Sequence, residues 1–253
     1  MTDFHDKIIL VSGAAKGIGL ATAQAFARAG GTVVLADKDG DLAAARAADI
    51  VAEGGKADSL AVDVAVPDQV EQMIARVIDN YGRLDIAFNN AGFILDMTPT
   101  IDVTLEDWDR LIATNLRGTF LAMQAEIRVM LTQGEGIIVN CASIAGLKGS
   151  PGEGPYAATK HGMLGFTKSA ALEYAKQGLR INAVCPGQID TPMNDGLTHG
   201  DKKKSDEMVE KTQPIGRIGT AEEIADAVLW LASPGAKFTI GIGLSVDGGQ
   251  SAM

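Results

Sequence analysis

Short apolar runs rich in valine and isoleucine recur along this chain, separated by longer amphipathic stretches. The runs are Ile8-Ile9-Leu10-Val11, Thr32-Val33-Val34-Leu35, Ser59-Leu60-Ala61-Val62, Leu84-Asp85-Ile86-Ala87-Phe88, Ile137-Ile138-Val139, Ile181-Asn182-Ala183-Val184 and Leu244-Ser245-Val246. A strand that is continuously apolar, instead of apolar at every second position, is covered on both faces. When such strands alternate with helices, each crossover brings the chain back to the same edge, so the strands run parallel. Helical periodicity falls at about residues 17–29, 40–53, 67–80, 104–132, 155–177 and 221–232. Pro67 stands where a first helical turn tolerates it, and Thr104 with Asp107 resembles a capping box. The expectation is an α/β fold with a doubly wound, parallel, seven-stranded sheet of buried strands and helices on both faces. No repeat or composition break divides the chain, so residues 1–253 are expected to form a single domain. Residues 189–219 interrupt the alternation with a polar stretch bearing glycine and lysine, and are expected to form a substrate lid.

A formal net charge of −10 argues against nucleic acid or an anionic membrane as partner, since both select basic patches. The one basic run, Lys202-Lys203-Lys204, is followed by Asp206 and Glu207 and reads as a solvated turn. Two cysteines, Cys141 and Cys185, are too few for a disulfide framework and lack metal-ligand spacing with the three histidines. No metal site is expected, and both thiols read as small buried hydrophobes suited to a reducing cytoplasm. No segment approaches a membrane span, and Met1 to Asp6 lack the basic-then-apolar run of a secretory signal. A soluble cytoplasmic protein is expected.

Directly after the first apolar run comes Ser12-Gly13-Ala14-Ala15-Lys16-Gly17-Ile18-Gly19, which opens a helical pattern. Glycines there permit a tight turn and let a pyrophosphate approach the backbone at the positive end of a helix. The spacing is Gly-x-x-x-Gly-x-Gly, which differs from the Gly-x-Gly-x-x-Gly fingerprint, and a tight turn without ligand is the competing interpretation. The second strand ends at Asp37, whose carboxylate suits both hydroxyls of an adenosine ribose and repels a 2′-phosphate. NAD is therefore favoured over NADP, although Lys16 and Lys38 are potential phosphate partners. Asp63-Val64, ending the third strand, suits an adenine amino group or closes a turn.

Tyr156 and Lys160 lie four residues apart in a helical stretch, which puts both on one helix face. A phenol ordinarily loses its proton near pH ~10, and an ammonium beside it lowers that value toward the range useful in acid–base catalysis. The spacing alone is a weak signal, because helix surfaces carry many such pairs.

The order and intervals of Ser12-Gly13…Gly17…Gly19, Asn89-Asn90-Ala91-Gly92, Asn115, Ser143, Tyr156…Lys160 and Pro186-Gly187 resemble those of the short-chain dehydrogenase/reductase family. The resemblance runs to Val246-Asp247-Gly248-Gly249, with Ser12 where the family usually has threonine. It implies a Rossmann-type sheet and transfer of hydride between a nicotinamide and a secondary alcohol or ketone. Tyr156 is then the general acid/base, and Lys160 its activator and a ligand of the nicotinamide ribose. Ser143 holds the substrate oxygen, and Asn115 binds a water linking Lys160 to solvent. Asn90, Ala91 and Gly92 line the cofactor pocket, while Pro186, Gly187, Ile189 and Thr191 border the nicotinamide, Thr191 bonding its carboxamide. The implied pocket walls are Phe93, Ile94 and Leu95, residues Ile144 to Pro155, and Met193 and Leu197, with Glu153 and Gln188 as polar contacts. A homotetramer packed through the two long helices and the last strand is also implied. Two alternatives stand beside this: an NADPH-dependent 3-oxoacyl-carrier-protein reductase, and an NAD-binding regulator without turnover.

Overall fold

The computed structural model describes residues 3–194, 201, 207 and 209–253. Seven parallel strands form one sheet: β1 (Ile8–Ser12), β2 (Thr32–Asp37), β3 (Lys56–Ala61), β4 (Ile86–Asn89), β5 (Gly136–Cys141), β6 (Leu179–Pro186) and β7 (Gly243–Val246). Their order is β3-β2-β1-β4-β5-β6-β7, so the winding reverses between β1 and β4. The helices are α1 (Gly17–Arg28), α2 (Gly40–Ala52), α3 (Pro67–Tyr81), α4 (Leu105–Leu111), α5 (Thr119–Gln133), α6 (Gly154–Tyr174) and α7 (Ala221–Ala232).

Alternate strand residues feed two apolar layers. Leu10, Val34, Ala87, Ile138 and Ile181 pack with α3, α5 and α6. Ile9, Val11, Val33, Leu35, Phe88, Val139 and Val184 pack with α1, α2 and α7. Alanines at Ala21 and Ala25 of α1 meet Ala225 of α7, allowing those helices to approach closely.

The helix ends follow local chemistry. Pro67 opens α3, and Gly82 closes it in the left-handed conformation at φ +74°. Thr220 and Glu223 form a reciprocal capping box on α7. At Thr104 the side chain accepts the Asp107 amide and also donates to the Asp107 carboxylate.

Three expectations are corrected. The outer strands β3 and β7 are edge strands with mostly part-exposed residues, because each has only one neighbour in the sheet. β3 also begins at Lys56, before the apolar run, because pairing with β2 carries it there. The long fourth helix is interrupted by a π-helical segment, Ile112–Gly118, between α4 and α5. Residues 189 and 219, the ends of the segment expected to form a lid, meet at a bridge, with Asp190 N donating to Gly219 O at 2.9 Å.

Candidate active site

The strand order reverses between β1 and β4, and the C-terminal edge of the sheet at such a reversal is where doubly wound folds bind their ligands. The chain leaves β1 at Ser12 and turns through Gly13 at φ +63° and Gly17 at φ +58°, conformations that a side chain resists. A Cβ on Gly19 would run into the Gly13 carbonyl, so α1 approaches the turn only with glycine at that position. No side chain caps the first amides of α1, and its first turn holds no acid. A pyrophosphate fits this cradle, because the backbone is bare and the helix end positive. Ile18 lies in that first turn, and the exposed Lys16 is its N-cap residue.

Asp37 ends β2 and reaches back to the turn: its Oδ2 accepts the Ala15 amide and its Oδ1 the Asp39 amide, each at 3.0 Å. Lys38 beside it is exposed. Asp63 accepts the Ala65 amide at 2.9 Å, which makes it a turn-closing residue. A Cβ on Gly118 would meet the Val64 carbonyl, so the π segment presses on the Asp63-Val64 corner.

The turn after β4 is clamped to the glycine turn. Ser12 Oγ accepts the amides of Asn90 and Ala91 at 3.1 and 3.2 Å, while Asn90 Nδ2 donates to the carbonyls of Ser12 and Gly13 at 3.1 and 2.9 Å. Serine keeps the hydroxyl on which this clamp depends. Asn115 lies in the π segment, and its side chain spans the backbone of Phe93, Oδ1 accepting from N at 3.0 Å and Nδ2 donating to O at 2.7 Å. Gly92 lies against the same amide, where a Cβ would stand 3.2 Å from Oδ1.

Tyr156 and Lys160 share α6, and Lys160 Nζ lies 5.4 Å from the centre of the Tyr156 ring, within cation–π range. The ammonium donates to the Cys141 carbonyl at 2.7 Å. Ser143 follows β5, and its Oγ accepts the Ala145 amide at 3.1 Å. Burial first, with the Cys141 thiol and Glu153 nearby, pushes the Tyr156 phenol up, against a smaller downward pull from Ser143. That corrects the expectation of a lowered phenol, because Lys160 is committed to a carbonyl and is itself pushed down by burial. Cys141 and Cys185 are free and buried, and desolvation pushes both thiols up, that of Cys185 to about 12.

On the far wall, Gly187 N donates to Val246 O at 3.1 Å and Thr191 stands over the glycine turn, its methyl 3.4 Å from where a Gly17 Cβ would be. Pro186 ends β6, and Ile189 is buried at the bridge. Met193 is exposed, whereas Leu197, Lys202 to Lys204 and Asp206 lie outside the described residues. Gln213 escaped notice in the sequence: it is buried, its Oε1 accepts the Gln188 amide at 3.0 Å, and its Nε2 donates to Arg217 O at 2.8 Å. Glu126 and Asn140 were also missed. Their only signal was a carboxylate and an amide in otherwise apolar patterns. Among the described residues no cluster of His, Cys, Asp or Glu could hold a metal, and no helix could cross a membrane.

A family model described as Enoyl-(Acyl carrier protein) reductase matches residues 13–251. The cyclohexanol dehydrogenase of Acinetobacter sp. strain SE19 is 41% identical over 245 residues, covering 97% of this chain and 95% of that one. A 3-oxoacyl-acyl-carrier-protein reductase of Thermotoga maritima is 39% identical, covering 96% and 97%. The crystal structure of levodione reductase superposes with a TM-score of 0.95 at 35% identity, covering 98% of this chain and 99% of that one. The chain belongs to the short-chain dehydrogenase/reductase family, a family of oxidoreductases that bind a nicotinamide cofactor.

Proposed function

We propose that the protein is an NAD(H)-dependent oxidoreductase that interconverts a secondary alcohol and a ketone. The observation that carries this reading is the meeting of Ser143 and Lys160 at Tyr156, Ser143 by a hydrogen bond and the buried Lys160 against the ring, in a chain that also carries a bare glycine cradle after β1. When bound, the nicotinamide supplies the acceptor or donor of hydride. Tyr156 exchanges the proton of the substrate oxygen, and the Ser143 hydroxyl hydrogen-bonds that oxygen as its charge changes. The Lys160 ammonium, 5.4 Å from the centre of the Tyr156 ring, would hold the nicotinamide ribose and offset part of the burial that keeps the phenol protonated. Asn115 fixes Phe93 and, with it, one wall of the pocket, and in this reading it also holds a water leading from Lys160. Gly13, Lys16, Gly17, Ile18, Gly19, Asp37, Asp63, Val64, Asn90, Ala91, Gly92, Pro186, Gly187, Ile189 and Thr191 form the cofactor site in this reading.

Asp37 supports NAD over NADP, because its carboxylate would face a 2′-phosphate. The apolar walls Phe93, Ile94 and Leu95, with Glu153 as a polar contact, fit a cyclic or modestly polar skeleton. Cyclohexanol dehydrogenase and levodione reductase among the relatives point the same way. Similarity to 3-oxoacyl-acyl-carrier-protein reductases supports the second reading, which Asp37 and the acidic net charge oppose. A regulator without turnover has no need of the complete Ser143, Asn115, Tyr156 and Lys160 set. The exposed apolar residues Phe120, Leu172, Trp230 and Phe238 on or beside α5, α6, α7 and β7 support a homotetramer of one-domain subunits, which light scattering tests. The deciding experiment is NADH release over cyclic diols, cyclohexanols, sugars, hydroxysteroids and hydroxyacyl thioesters. Turnover of cyclic alcohols supports the first reading, and turnover of hydroxyacyl thioesters with NADP alone overturns it.

A further inference from the structure

Ser12, Asn89 and Asn140 stand in register across β1, β4 and β5, one rung beyond the apolar row Leu10, Ala87 and Ile138 on the same face. This polar row lies between the core and the proposed cofactor floor. Asn140 Nδ2 donates to Thr167 Oγ1 of α6 at 2.9 Å and to Met123 Sδ of α5 at 3.1 Å. Asn89 Nδ2 donates to Asn140 Oδ1 at 3.1 Å and to Glu126 Oε2 at 3.0 Å. Glu126, on α5, is 1% exposed, and its Oε1 has no hydrogen-bond partner.

The same continuous helical unit also holds the other end of the turn, since Asn115 grips Phe93. Residues 89–93 are thus stapled twice to one rod, at Glu126 below and Asn115 above. The turn Asn90–Gly92 runs between these two hydrogen-bonded ends, so a slip at the lower one is passed to the backbone that packs against Gly13.

We propose that Glu126 is a positioning residue for the cofactor floor, acting as an uncharged acid that holds Asn89 and, through it, the turn Asn90–Gly92. An ionised carboxylate in this place would have one donor for two oxygens and no cation, which a buried site does not tolerate. Asn89 faces it from β4, Asn140 stands behind Asn89 on β5, Thr167 closes the row from α6, and α3 adds Val70, Met73, Ile74 and Val77 to the layer. No charged group among the described residues acts on Glu126 from these elements, while Lys160 and Cys141 in the next layer engage each other. Burial pushes the Glu126 carboxyl up to about 7, with the Asn89 hydrogen bond pulling weakly the other way. The inference rests on the nicotinamide reading of the site.

The test compares wild type, Glu126→Gln and Glu126→Leu by fluorescence titration with NADH and by melting of the cofactor-free protein between pH 5.5 and 8.5. Wild type is expected to lose melting temperature and NADH affinity as pH rises through about 7, whereas Glu126→Gln, an uncharged isostere, holds both level. Glu126→Leu strips Asn89 of its acceptor and is expected to weaken NADH binding about tenfold at pH 6, raising the KM for NAD more than it lowers kcat. If that variant does not fold, the wild-type and glutamine pH profiles carry the test alone. Superimposable profiles, or a leucine variant that binds NADH like wild type, overturn the proposal. Wild type that binds neither NADH nor NADPH overturns the cofactor reading and this inference with it. Binding without any Glu126 effect overturns the inference only.

Discussion

Two carboxyl groups are buried at opposite edges of the sheet, and the protein treats them differently. At the N-terminal edge Asp85 is 5% exposed, yet Arg83 Nε, Arg83 Nη2, Lys7 Nζ and the Ile8 amide all donate to it, at 2.9, 2.5, 3.1 and 2.9 Å. Burial pushes that carboxyl up, but Arg83, the Ile8 amide and Lys7 together hold it below its usual value. At the C-terminal edge Glu126 has one amide donor and is pushed to about 7. Their contributions to stability run in opposite directions with pH. Asp85 stabilises above the ordinary carboxylate range and loses its effect as pH falls through its depressed value. Glu126 costs nothing below that range and destabilises progressively as pH rises toward about 7. The satisfied group belongs to the N-terminal edge of the sheet, and the under-bonded one to the edge proposed to carry the chemistry.

The sharpest way to separate the edges is Tyr156→Phe. It is expected to lower kcat about 10³-fold, with NADH affinity and melting temperature near wild type. Near-normal turnover would remove the acid–base role from Tyr156 and the contrast with it. The complementary change is Asp85→Ala, expected to lower stability by about 2–3 kcal/mol in urea unfolding, the low end for a broken buried pair because Lys7 and Arg83 keep some solvent. Activity per folded molecule should persist, and a large fall in kcat would show that the two edges are coupled. Asp37→Ser tests the cofactor edge by charge alone. Removing the carboxylate is expected to reduce the preference for NAD over NADP about tenfold or more in kcat/KM. An unchanged ratio would assign the choice to Lys16 or Lys38. Thr220→Ala breaks the α7 capping box, remote from both carboxyls, and is expected to cost about 1 kcal/mol with unaltered kinetics.

Much of this was legible in the chain. Continuous apolar runs announced the parallel sheet because a strand covered on both faces has no polar alternate. Gly13, Gly17 and Gly19 announced the cradle, and each proves necessary through a left-handed φ or a forbidden Cβ. The spacing of Tyr156 and Lys160 placed both on α6. It did not reveal where the ammonium goes, since the Cys141 carbonyl belongs to another strand. The π segment was invisible for a related reason: its residues have ordinary helical character, and what it serves is the fit of Asn115 to Phe93 and of Gly118 to Val64. Glu126 shares the buried face of α5 with Thr119, Met123 and Met130, and its partner Asn89 lies 37 residues earlier in the chain, beyond the reach of helical periodicity.

By itself the sequence determined the kinds and order of elements, the parallel sheet and the inventory of reactive groups, because these follow from local periodicity, turn conformation and side-chain chemistry. Only the tertiary structure decided which polar groups meet and in what charge state. The protonation of Tyr156, Lys160, Asp85 and Glu126 depends on desolvation and on partners that distant segments bring to them.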